Sequence, residues 1–260
     1  MWLGPRRMEP LFESDALSAH ECETLDRDGY VVLPGRIAPE ARRRLARSIA
    51  RVEALRPDAP KETRPRRYAA EHDRFLGRLV AHPQLVALAR AALGPEIRFD
   101  HCVCLGRPPG HAGMRWHSHG YAEGDPRLGL LRIFLYASGF GPGDGGLKAV
   151  PGSHRLREAH VHAESDGALR RDWLAAKRDP ASGTPLAIEA LSAPPGSVVA
   201  MWTHTVHGVE PRRSESGPRL AVVFGYRNPG AASPSRWITP EFERRAQAAG
   251  GEALAALVAP

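Results

Sequence analysis

Cysteine is scarce: Cys22, Cys102 and Cys104 are the only three in 260 residues. So few thiols exclude a disulfide framework, and Cys102-Val103-Cys104 has no second pair with which to close a structural zinc site. They read as small buried residues. Long apolar runs are missing too. No stretch approaches the roughly eighteen residues that a membrane helix needs, and the opening MWLGPRRMEPLFESD has no apolar segment followed by a small-residue cleavage site. These absences point to a soluble, cytoplasmic chain without a membrane partner. Aromatic residues are only 7% of the total and are not interleaved with the basic ones. The net charge of +7 and isoelectric point near 9.8 therefore come without the stacking platform of a nucleic-acid binder, and nucleic acid is not an expected partner. The basic residues are mostly scattered arginines, with short clusters at Arg42 to Arg44 and Arg64 to Arg67.

Hydrophobic residues make up 42% and charged residues 25%, the composition of an ordinary folded protein. The length suits one large domain. Within it, Gly29-Tyr30-Val31-Val32-Leu33-Pro34 is a short apolar run between turn formers, which predicts a buried strand. Pro39 then suits a first helical turn, and Leu45, Ile49 and Val52 recur at helical spacing while the neighbouring arginines stay in water. After a Pro-containing link from Pro57 to Arg67, Phe75, Leu79 and Leu85 to Leu93 continue the helical pattern up to Gly94.

From about Ile97 to Arg227 the texture changes to short apolar runs between Gly and Pro clusters: Leu130 to Tyr136, Gly146 to Val150, Gly196 to Trp202 and Leu220 to Tyr226. Many short strands of this kind build a sandwich or barrel. An insert at about 156–178 reads as polar and helical, and Thr239-Pro240 can cap a closing helix. The expected single domain, 1–260, thus has an N-terminal strand and helices over 1–95, a barrel core over 96–230 and a C-terminal helix over 231–260.

Of twelve histidines, two pairs have the form His-x-His: His117-Ser118-His119 and His160-Val161-His162. In a strand this spacing puts both rings on one face, within reach of one ion; in a helix it separates them by about 200°. The second pair falls in the insert read as helical and is set aside. The first stands in Arg115-Trp116-His117-Ser118-His119-Gly120-Tyr121, shortly before a strand. His207 follows another strand-like run. Ligands from two distant strands are how a jelly roll gathers a metal triad while leaving coordination positions open. Twelve positions later Arg219 opens Arg219-Leu220-Ala221-Val222-Val223-Phe224-Gly225-Tyr226, where alternation groups Arg219 with Ala221, Val223 and Gly225. An inward guanidinium there needs an anion, and a dicarboxylate would suit it; an outward one is simply a surface charge at a strand start.

Together these residues resemble the phytanoyl-CoA dioxygenase family of Fe(II)- and 2-oxoglutarate-dependent oxygenases. The resemblance is carried in order by Asp28-Gly29-Tyr30-Val31-Val32 and the Pro39 helix, by Trp116-His117 with Tyr121, and by Gly145-Gly146-Leu147-Lys148-Ala149-Val150-Pro151-Gly152-Ser153-His154. Gly196-Ser197-Val198, His207, Pro211, Ser214 and Arg219 complete it. It implies a mainly β fold with flanking helices, a double-stranded β-helix (jelly-roll, cupin-like) barrel. It also implies Fe(II), 2-oxoglutarate and O2 as reactants, His117 and His207 as metal ligands, and Arg219 on the far carboxylate of 2-oxoglutarate. Hydroxylation of a small molecule is the default outcome, with desaturation or cyclisation open. The abundance of Ala, Arg, Gly and Pro fits a bacterial source.

His119 departs from the family pattern, because it stands where an aspartate would ligate. Three imidazoles suit iron, and equally zinc with a water. His119 therefore either coordinates, or swings aside for water, an anion or a loop carboxylate such as Glu123 or Asp125, or marks a protein that has lost oxidation. Val209 replaces a small hydroxyl residue that the family often has beside the Arg219 site. Arg132 and Lys148, on predicted barrel strands, are further candidates for holding 2-oxoglutarate or an anionic substrate. Pro151 to His154 read as a structural turn, and Trp116, Tyr121 and Trp202 as core aromatics or pocket walls. Rival readings are a three-His metal enzyme without 2-oxoglutarate, either a thiol-type dioxygenase or a zinc hydrolase, and a non-catalytic binding protein on the same barrel.

Overall fold

The structure, a computed structural model, describes residues 9–14, 17–249 and 251–259. The first eight residues, part of the stretch read as lacking a cleavable leader, lie outside the described residues. The chain begins with α1 (Ala19–Asp28), β1 (Tyr30–Leu33) and α2 (Pro39–Glu53), followed by α3 (Ala69–His72), α4 (Arg74–Leu79) and α5 (Pro83–Leu93). The barrel strands are β2 (Arg98–Cys104), β3 (Met114–His117), β4 (Leu130–Tyr136), β5 (Leu147–Ala149) and β6 (His162–Ala163). After α6 (Asp166–Asp172) come β7 (Glu189–Ala190), β8 (Val198–Trp202), β9 (His207–Val209) and β10 (Ala221–Arg227); α7 (Pro240–Ala249) and α8 (Gly251–Val258) follow.

Two five-stranded sheets form the barrel, ordered β1-β8-β4-β10-β2 and β6-β3-β9-β5-β7, with antiparallel pairing throughout. β4 and β10 are buried along their whole length, since each has both faces covered. Their outer residues Leu131, Ile133, Leu135, Val222, Phe224 and Tyr226 pack against Leu45, Ile49 and Val52, the apolar stripe of α2, and against Leu76 and Leu85. Burying each such side chain contributes about 1.5–3 kcal/mol. Their inner residues Phe134, Tyr136, Ala221 and Val223 meet Leu147, Ala149 and Val209 of the second sheet. The first sheet is thus clamped between helices and barrel interior, and whatever it points inward is held rigidly.

The insert at 156–178 corrects the helical expectation in part. α6 is present, but His162 belongs to β6, where it pairs with His117 on the edge of the second sheet. His160 has φ +60°, so an irregular segment running into β6, rather than a helix, carries the second His-x-His. The segment is polar because it forms an edge and a surface, which erases the apolar period that separates strand from helix.

Gly225 has a specific task at the sheet's inner face. It sits between Arg132 of β4 and His101 of β2, and a Cβ there would lie 2.5–2.7 Å from the His101 ring atoms. That ring is fixed, with Nδ1 3.0 Å from the Asp100 carboxylate, whose other oxygen faces Arg227 at 3.3 Å. Gly225→Ala is therefore expected to lower stability by about 1–3 kcal/mol through overpacking, read from chemical denaturation. An unchanged midpoint would mean that the His101 ring moves freely.

Candidate metal centre

His117 ends β3 and His207 begins β9, and the two are cross-strand partners with ring centroids 4.2 Å apart. Each ring is anchored in the same way. The Nδ1 of His117 lies 2.9 Å from the carbonyl of Arg115, and the Nδ1 of His207 lies 2.8 Å from that of Thr205. A carbonyl only accepts, so Nδ1 carries the proton and the lone pair is on Nε2. Backbone support of this type fixes tautomer and ring orientation in metal sites. Burial, above all, pushes both histidines below the ordinary imidazole range, which keeps them in the neutral ligating form.

His119 is not on a strand, contrary to the geometry expected from its spacing. It lies two residues past the end of β3, tied by its backbone N–H to the carbonyl of Thr203 at 3.2 Å. Its ring still reaches the cluster, at 4.9 Å from His117 and 5.4 Å from His207, and ligand atoms of all three residues fall within 4.8 Å of one another. However, Nε2 of His119 faces Nη1 of Arg132 at 3.0 Å. A guanidinium only donates, so this lone pair is engaged and the proton of the neutral ring sits on Nδ1. The donor set fits a divalent metal: two preset imidazole nitrogens and a third that becomes available when Arg132 releases it. The alternative carboxylates do not line this cavity, and Asp125 pairs with Arg127 at 2.8 Å.

The three histidines open into a cavity of about 440 Å³ whose walls include Arg132, Phe134, Tyr136, Leu147, Val209 and Arg219. Arg219 does point inward. Its guanidinium is buried, lies 5.9 Å from the ring centres of Tyr136 and Phe140, donates through Nη1 to the carbonyl of Gly145, and leaves Nε without a partner. Arg132 also faces inward, fully buried, and burial pushes its pKa down to about 10. Lys148 does not. Alternation along β5 turns Leu147 and Ala149 to the interior and sends Lys148 outward to pair with Asp166 over the Trp116 ring, 5.0 Å away. The aromatic candidates are likewise outside this cavity: Trp116 is core, bonded to Asp166 at 2.8 Å, Tyr121 bonds the carbonyl of Asn228, and Trp202 lines a separate cavity. Pro151 to His154 form the expected structural turn, with Gly152 at φ +79° and the Ser153 hydroxyl accepting from Val206 N–H at 2.9 Å.

Several lining residues escaped the sequence reading. His101 and Trp237 meet at the cavity with centroids 5.5 Å apart, and Arg107 pairs with Arg219 through two 2.8 Å backbone hydrogen bonds. Arg107 sits in an irregular Gly- and Pro-rich turn, where no periodicity signals which way a side chain points.

A double-stranded β-barrel that converges three imidazoles and a buried arginine on one cavity defines the class, a cupin-like barrel. Residues 25–221 match the family model described as "Phytanoyl-CoA dioxygenase (PhyH)". The chain belongs to the phytanoyl-CoA dioxygenase family. It is 28% identical over 241 residues to an ectoine dioxygenase of Bordetella parapertussis, covering 82% of this chain and 76% of that one. Among solved structures, EctD from S. alaskensis with 2-oxoglutarate and 5-hydroxyectoine superposes with a TM-score of 0.63 at 23% identity, covering 85% of this chain and 82% of that one. HygX from Streptomyces hygroscopicus with nickel and 2-oxoglutarate bound gives 0.62 at 19%, covering 87% and 94%. The barrel expected from the sequence is thereby confirmed. No helix among the described residues is long and apolar enough to cross a membrane.

Proposed function

We propose that the protein is an Fe(II)- and 2-oxoglutarate-dependent dioxygenase that oxidises a small molecule in the cytoplasm. The observation that carries this reading is one cavity holding two tautomer-locked imidazoles, a third beside them, and a buried arginine with free donor capacity. His117, His207 and His119 would hold the metal. When bound, Fe(II) supplies O2 activation, coupled to conversion of 2-oxoglutarate to succinate and CO2.

The chain's own residues bind and orient. Arg219 presents a planar fork to the far carboxylate of 2-oxoglutarate, and its burial makes an anion there necessary, since an unpaired buried charge is costly. The Tyr136 and Phe140 rings, each 5.9 Å from it, give the guanidinium an apolar surround. A metal enzyme that dispensed with 2-oxoglutarate would leave this guanidinium with the Gly145 carbonyl but without an anion. Support for the cofactor set comes from the family and from the 2-oxoglutarate in both structural neighbours. The test is succinate formation from 2-oxoglutarate with Fe(II) and O2; none, with iron loaded, would refute the assignment.

Arg132 sets the strength of the third ligand. Metal and guanidinium compete for one lone pair, and the guanidinium also repels the incoming cation. Arg132→Met is expected to tighten Co(II) binding about tenfold, the equivalent of one charge-assisted hydrogen bond. His119→Ala, whose lone pair is already engaged, is expected to weaken it about tenfold, less than loss of either preset ligand. Metal titration followed by visible absorption checks both. An unchanged affinity in His119→Ala would remove His119 from the ligand set.

A further inference from the structure

The cavity's charge is one-sided. Lys61, Arg66, Arg67, Arg107, Arg132 and Arg219 line it, and among the described residues no aspartate or glutamate does. Among the described residues, only Arg66 of these six has a carboxylate within 4 Å, Glu53 at 3.8 Å, and an oxygen of Glu53 already accepts from Gly106 N–H at 2.7 Å. Arg107 faces a neutral imidazole and a thioether, His111 and Met114, with its Nε unpartnered. Burial, then Arg219 and Arg66, push its pKa down to about 10 against a smaller opposing pull from Glu53, as expected for crowded cations. Arg67 lies over the Trp237 ring at 4.5 Å.

The outer cations are positioned by structure. Residues 65–67 form a 3-10 turn closed by Tyr68 N–H on the Pro65 carbonyl at 2.9 Å, and Tyr68 bridges to Cys102 on the barrel strand β2. Arg66 and Arg67 are thus fastened beside the cavity, with Lys61 on the exposed approach. Iron and 2-oxoglutarate carry opposite double charges and neutralise each other, so their binding leaves the surplus in place.

We propose that this basic group is an anion subsite and that the substrate is a small molecule bearing a phosphate or carboxylate, held by Arg66 and Arg67 with its reacting end toward the three histidines. The proposal rests on the oxygenase reading only in giving Arg219 to the co-substrate. Guanidiniums bind such groups bidentately, and a charge in a walled cleft also draws anions from solution. Arg107 lies between this subsite and Arg219 and joins the two.

Calorimetric titration of the metal-free chain, and of the chain loaded with Ni(II) and 2-oxoglutarate, tests this with phenyl phosphate, phenylacetate and neutral benzyl alcohol. Uptake of 2-oxoglutarate is measured separately, so failure there counts against the oxygenase reading and not against the subsite. The expected result is that at least one anion binds the loaded chain about tenfold or more tightly than benzyl alcohol, weakening as salt rises. The winning anion distinguishes phosphate from carboxylate. Arg66→Gln/Arg67→Gln is expected to lose about tenfold or more of that affinity, and Arg66→Lys/Arg67→Lys, which keeps the charges, to recover part of it. Equal binding of benzyl alcohol and both anions overturns the proposal. So does anion binding that is unchanged in the glutamine variant while that variant unfolds at the wild-type temperature, because the anion would then sit on Arg107 and Arg219.

Discussion

Replacing His207 with alanine is expected to abolish metal-dependent turnover while the barrel stays folded. His207 starts β9 between Ala149 and His117 of the neighbouring strands, and its ring is held by one hydrogen bond to the Thr205 carbonyl at 2.8 Å. Its Nε2 therefore faces the cluster without any rearrangement, unlike that of His119. Four-ligand zinc sites reach about 10–16 kcal/mol, so one ligand's share is about 2.5–4 kcal/mol, or on the order of 10² to 10³ in affinity. The side chain is buried but contributes no internal ion pair, so the thermal midpoint of the metal-free protein should change by only a few degrees. Calorimetric metal titration and a melting curve together check this. Undiminished metal affinity would place the metal elsewhere.

Arg219→Ala carries the second large expected effect, and it falls on 2-oxoglutarate rather than on the metal. The guanidinium lies on the wall between Tyr136 and Phe140, and removing it leaves the co-substrate's far carboxylate buried without its fork. Truncating one partner of a buried charge pair costs about 2–5 kcal/mol, so the KM for 2-oxoglutarate should rise about 30- to 5,000-fold. Arg219→Lys should fall between, because an ammonium keeps the charge but not the planar pair of donors. Metal affinity without co-substrate should match the wild type in both. A KM that does not move in Arg219→Ala would show that Arg107 or Arg132 carries the carboxylate instead.

The barrel was legible where strands are covered on both faces. β4 and β10 fall at or within one residue of the apolar runs that predicted them, because such strands are written as nearly continuous hydrophobic stretches, broken in β4 only by Arg132. β6 and β7, two residues each at opposite edges of one sheet, carry no such run and were invisible. In the site, alternation grouped Arg219 with Ala221 and Val223 but left an inward or a surface guanidinium open, and the fold turns it inward; Lys148, a candidate on a predicted barrel strand, points outward. The phase of a three-residue strand cannot be set from its own residues; Leu147 and Ala149 decide it, and only their packing shows that they are inside. The engagement of His119 by Arg132 was beyond reach, since it joins a loop residue to a strand residue whose approach depends on the whole barrel. In the sequence Arg66 and Arg67 are only part of a short basic cluster, because their place beside the cavity comes from one bridge, Tyr68 to Cys102.

The central claim is that one cavity binds iron through its histidines and 2-oxoglutarate beside it on Arg219. It is tested most directly by anaerobic titration of the Fe(II)-loaded protein with 2-oxoglutarate, followed by visible absorption. A metal-to-ligand charge-transfer band that saturates at one equivalent, and is lost in His207→Ala, is the expected result. A protein that holds one iron per chain and develops no band on adding 2-oxoglutarate would contradict the claim.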